Sequence, residues 1–123
     1  MRRIARRFFT RAVPALLSGL AAAADVAEDE ALYLQSLVYA GVLAYCTERQ
    51  PAQASAHAEA LAGWLQRNQA ALARGEAAAR GGEGDGAAEA EARRRIERAI
   101  AEIRALPPAA QQERCQDLRR GIG

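Results

Sequence analysis

The sequence predicts an all-α protein: a small four-helix bundle behind a cleavable N-terminal signal, its first and last helices joined by a disulfide. Three observations carry this. From Leu32 to Cys46, large apolar residues recur at spacings of three and four, the repeat of a helix face. No stretch shows the apolar–polar alternation of β-branched residues that marks a strand. The only two cysteines, Cys46 and Cys115, fall toward opposite ends of the foldable part.

The first 24 residues read as an export signal rather than as part of the fold. Five arginines and no acid precede a mild, alanine-rich run from Ala12, and Ala22-Ala23-Ala24 offers small residues for cleavage. Arg6-Arg7-Phe8-Phe9 resembles a twin-arginine motif, with Ala5 where Ser or Thr is usual, and the mild apolar run suits that pathway. The general secretory route remains the alternative. A second alternative is a retained basic amphipathic helix resting on anionic lipid. Membrane contact is thus expected only through an uncleaved leader.

Removing residues 1–24 reverses the charge. The whole chain carries 17 arginines against 15 acids, a formal +2. Residues 25–123 keep 12 arginines against all 15 acids, a formal −3. The basic excess therefore belongs to targeting, and nucleic acid is not an expected partner, since that needs a basic footprint on the folded domain. Arg93-Arg94-Arg95, the one remaining basic cluster, sits among Glu89, Glu91, Glu97 and Glu102 and reads as a solvated, partly paired helix face.

Residues 25–123 are read as a single domain. In its central helix, Leu34, Leu37, Val38, Gly41, Val42 and Tyr45 share one face, and Leu32, Tyr39, Leu43 and Cys46 line another. A helix apolar over so wide an arc wants neighbours on several sides. A membrane span would need about 20 apolar residues, but acids stand at 28–30, Gln35 and Ser36 interrupt, and Thr47-Glu48-Arg49 follows.

Pro51 suits the first turn of a second helix, expected to run to Arg74 with Gly75 as its stop. Its stripe is Ala54, Ala58, Leu61, Leu65, Asn68 and Leu72, with Trp64 adjoining and His57 near the edge, on the surface or half-buried. Residues 80–86, Arg-Gly-Gly-Glu-Gly-Asp-Gly, form a flexible loop that matches neither a phosphate loop nor a calcium loop. A third helix from Ala87 to Leu106 carries a narrow stripe of Ala92, Ile96, Ala99, Ile100, Ile103 and Leu106, and Pro107-Pro108 ends it. A last helix from Ala109 to Arg120 turns Cys115 and Leu118 inward.

In an exported chain an even pair of cysteines is most simply a disulfide. It closes a loop of about 70 residues, worth about 4 kcal/mol by loop-closure entropy. That matters in a small domain whose apolar content is largely alanine, which buries little area. No metal is expected, because neither cysteine has a second cysteine or a histidine at ligand spacing and His57 stands alone.

Catalytic residues are not expected either. Residues 25–123 have one histidine, no lysine, and Ser36, Thr47 and Ser55 as their only aliphatic hydroxyls, so no nucleophile–base set is in view. No cofactor motif occurs. The individual local feature is Trp64-x-x-Arg67-Asn68. It reads as a core tryptophan with Asn68 capping a helix end, or as a partner-binding patch, since tryptophan and arginine dominate binding hot spots.

The order of leader, Tyr45-Cys46 closing an apolar helix, helical middle, and Cys115-Gln116-Asp117-Leu118 in a short last helix resembles small exported, disulfide-tied helical proteins of Gram-negative bacteria. It is similar in outline to the immunity family that neutralises type VI secretion amidase effectors. That resemblance implies a non-enzymatic periplasmic or secreted protein that binds and occludes a protein partner. Small acid-activated periplasmic chaperones, also helical with two cysteines, offer the alternative of a stress chaperone or envelope scaffold. A third reading is a secreted helical protein with neither role.

Overall fold

The computed structural model describes residues 13–81 and 86–123, with side chains from residue 25 onward. The described residues are helical nearly throughout, with no strand among them. The twin-arginine motif and Gly82–Asp85 of the glycine-rich loop lie outside them. Five α-helices follow in order: α1 (Val13–Arg49), α2 (Ala54–Arg67), α3 (Gln69–Gly81), α4 (Ala87–Arg104) and α5 (Pro108–Ile122). A single 3-10 turn, Pro51–Gln53, leads into α2.

Five helices stand where four were expected, because the second one breaks. Asn68 leaves helical geometry at φ −110°, ψ 14°, and its side-chain amide donates to the Trp64 carbonyl at 2.8 Å. A short polar side chain that bonds its own backbone competes with helix continuation. The chain bends there, and α3 turns back along α1.

Gly75 is not a stop. It is buried inside α3, and a Cβ there would overlap the Asp29 carbonyl oxygen of α1. The glycine lets two backbones touch. α3 runs on to Gly81, so Arg80 and Gly81 belong to the helix rather than to the loop. Gly86, at φ +84°, adopts the left-handed geometry that glycine tolerates and begins α4.

α1 is 37 residues long, about 55 Å at 1.5 Å per residue, and all four other helices pack on it. α4 lies along α1 in the same direction. The Tyr33 hydroxyl of α1 donates to Glu89 at 2.9 Å, Gly41 faces Ile96, and Arg104 lies 5.4 Å from the Tyr45 ring centre. The core gathers Val42, Tyr45 and Cys46 of α1, Ile103 of α4 and Cys115 of α5, with Val38, Ile96, Ala99, Ile100 and Leu118 against it. The stripe read on α4 is therefore the one that packs.

The stripe read on α2 packs only in part, through Leu61 and Asn68. Ala58 and Leu65 are exposed, whereas His57 is 1 % exposed. The inward face runs His57, Leu61, Trp64, Asn68 instead, rotated by about one residue, so a histidine expected on the surface or half-buried lies in the interior.

Candidate functional site

Two features that the sequence singles out lie on the three helices α1, α2 and α5. The first is the cysteine pair. α1 brings Cys46 in at its last turn and α5 brings Cys115 in at mid-helix, both essentially without exposure. Their Cα atoms are 5.8 Å apart and their sulfurs 2.12 Å apart, a disulfide between the first and last helices. Beside it, the Tyr45 ring lies between two guanidiniums, Arg49 at 5.6 Å and Arg104 at 5.4 Å from its centre. An open cleft of about 510 Å³ borders this corner, lined in part by Arg49, Gln50, Pro108 and Gln112.

The second feature is the Trp64, Arg67, Asn68 cluster. Trp64 is half-buried and meets Tyr39 of α1 edge to face, ring centres 5.1 Å apart at 82°. The Arg67 guanidinium reaches across to donate to the Ile122 carbonyl at 2.8 Å, capping the end of α5. Asn68 bonds back to Trp64. The three residues thus point toward α1, toward α5 and along their own chain, respectively. The exposed large apolar side chain next to them is Leu65, 38 % accessible.

His57 is the residue that sequence reading placed wrongly, and it is the buried residue of α2. Neither of its ring nitrogens has a hydrogen-bond partner among the described residues. Burial pushes its pKa below the usual 6.5, and the Arg119 charge on α5 pushes the same way. Arg119 also donates to the Gln53 amide oxygen at 2.7 Å, tying α5 to the turn before α2. The spacing His57, Leu61, Trp64, Asn68 held the signal; weighing Leu65 as the anchor of the stripe obscured it.

The middle of α1, around Asp29 and Tyr33, is held by polar bonds. Arg74 donates to Asp29 at 2.8 Å. Glu89 is held below the usual carboxylate range by its own backbone N–H and then by the Tyr33 hydroxyl. On the outer face of α4, Glu91 accepts from Arg94 at 2.6 Å and from Arg95 at 3.0 Å, and these bonds lower its pKa. Arg94 and Arg95 are thus paired, and Arg93 is exposed. Among the described residues, no three or more His, Cys, Asp or Glu side chains cluster as a metal site would, and no helix is long and apolar enough to cross a membrane.

Comparison of the chain with protein-family models, with curated proteins and with solved structures finds no match.

Proposed function

We propose that this chain is an exported helical module that works in the periplasm or outside the cell by binding a protein partner, in the manner of an immunity or inhibitor protein rather than an enzyme. One observation carries the reading: the two cysteines of the chain are paired in the core. Such a bond persists in an oxidising compartment and is rare where thiols are kept reduced. The arginine-rich start and Ala22-Ala23-Ala24 supply the address, with cleavage leaving the acidic residues 25–123. In that product the disulfide fixes α5 on α1 and holds a rigid surface, which lowers the ordering cost of binding.

The deciding measurement is the intact mass of the exported protein with and without reductant. A product that starts near Asp25 and gains two hydrogens on reduction is expected. A product that retains Arg2 to Arg11, or that carries two free thiols, overturns the proposal. For the binding role, the oxidised protein is used as bait in periplasmic extract of its own cell. A stable stoichiometric partner is expected, encoded beside it if the immunity reading holds, and the absence of any such partner removes that reading.

A further inference from the structure

The α2–α5 junction contains a titratable group with no evident structural use. His57 is the only histidine in the chain. It lies 1 % exposed with both nitrogens unpartnered. A neutral imidazole there already forgoes the bonds it would make to water. An imidazolium would be worse placed, because the one charge that acts on the site is the like charge of Arg119.

We propose that His57 is an acid-sensitive latch: its protonation releases α2 from α5, while the disulfide keeps α5 on α1. The geometry separates the two events. α5 is held covalently through Cys115. Apart from packing, α2 and its leading turn hold to α5 through two arginine bonds, Arg67 to the Ile122 carbonyl and Arg119 to Gln53. Arg119 is thus both the tie and the charge that a protonated His57 would repel. The 14 residues of α2 make a helix too short to persist alone in water. Release uncovers the Trp64–Tyr39 contact and the face of the core beneath it.

No acid is among the causes of the shift, which are burial and then the Arg119 charge. The other titratable groups on this stretch of the neighbouring elements are Tyr45, Glu48 and Arg49 of α1, Glu113, Arg114, Asp117 and Arg120 of α5, and Glu59 and Arg67 of α2 itself, and the turn Pro51–Gln53 carries none. The sign follows. A base whose pKa is lowered by folding leaves stability intact above its unfolded value, about 6.5. Stability is then lost as pH falls from there toward the folded value. Over that window the open form gains up to about tenfold per pH unit.

Two single-copy reporters make the test clean on the full oxidised chain. The imidazole of His57 is followed by proton NMR from pH 8 to 4. Amide exchange, corrected for intrinsic rates, and Trp64 emission are recorded at pH 7.5 and 5.5. The latch predicts that the ring titrates below 6.5, that α2 protection falls at pH 5.5 by up to about tenfold, that α4 protection holds, and that Trp64 emission shifts to the red. In His57→Gln the acid loss of α2 protection should vanish. A ring that titrates at or above 6.5, α2 protection that does not fall, equal loss in α4 and α2, or an unchanged response in His57→Gln each overturns the proposal. The ring titration uses the unaltered chain, so it decides even if the variant does not fold.

Discussion

Replacing Gly75 with alanine tests the crossing of α1 and α3. The added Cβ would overlap the Asp29 carbonyl oxygen and stand 2.5 Å from the carbonyl carbon and 3.1 Å from the Tyr33 Cβ. Real Cβ contacts essentially never fall below 3.0 Å, and both Asp29 atoms are backbone, with no rotamer to retreat into. The helices must therefore part by about one ångström to bring the oxygen out to 3.0 Å, which also stretches the Arg74–Asp29 bond of 2.8 Å. Overpacking of this kind costs about 1–3 kcal/mol. The better helix propensity of alanine offsets about 0.5–1 kcal/mol of that. A net loss of about 1–2 kcal/mol is expected, lowering the melting temperature by about 4–8 °C for each kcal/mol. The assay is thermal and urea unfolding of the oxidised protein followed by circular dichroism. Gly121→Ala is the control, because its Cβ would meet nothing within 4 Å among the described residues, and it should be neutral or stabilising. A Gly75→Ala protein as stable as the parent refutes the close approach of α1 and α3.

Three further outcomes follow from the same geometry. Replacing both cysteines with alanine frees a loop spanning 69 positions and should cost about 4 kcal/mol in urea unfolding; a loss under about 1 kcal/mol would mean that the staple contributes little. A double-mutant cycle with Tyr39→Leu and Trp64→Leu should return a coupling of about 0.5–1.5 kcal/mol for the edge-to-face pair, and zero coupling would deny the contact. Tyr33→Phe removes the donor to Glu89 at 2.9 Å, so the Glu89 pKa should rise toward its ordinary 4.5, read by carboxyl NMR titration. In the parent this bond contributes at neutral pH and is lost as pH falls through the depressed Glu89 value. An unmoved Glu89 titration in Tyr33→Phe would contradict the bond.

The parts of the fold that were legible in the sequence are those set by period and by covalent chemistry. The α4 stripe from Ala92 to Ile103 is narrow and flanked by charge, so only one face could be the inner one, and it is. Cys46 and Cys115 pair because nothing else in the chain competes for either sulfur. The errors arose where a local rule had two outcomes. Gly75 carries the residue type of a helix stop, yet what places a glycine there is the Asp29 backbone, 46 positions away in sequence. Asn68 reads both as a member of the stripe and as a residue bonding a helix end; the second reading holds, but that its bond to the Trp64 carbonyl also breaks the long helix in two is not legible from the residue type. On α2, Leu61, Trp64 and Leu65 leave two neighbouring inward directions open, and the one taken has Trp64 meeting Tyr39. That contact belongs to tertiary structure and has no local signature.

The bonds along α1 divide it into two regimes with different chemistry. Near Asp29 and Tyr33, α3 and α4 are held by Arg74, Glu89 and a glycine contact, two part-buried polar bonds and a backbone approach. Near Tyr45 and Cys46, α4 and α5 are held by apolar packing and the disulfide, which depends on redox state and hardly on salt. α2 falls in neither regime. It joins α1 through one aromatic pair and α5 through two arginine bonds, and it encloses the only histidine of the chain, without a partner. A helix that encloses a buried group preferring its neutral form is the one that acid should open first. On the His57 proposal α2 is therefore singled out, and Trp64, Arg67 and Asn68 all lie at its last turn or just beyond it.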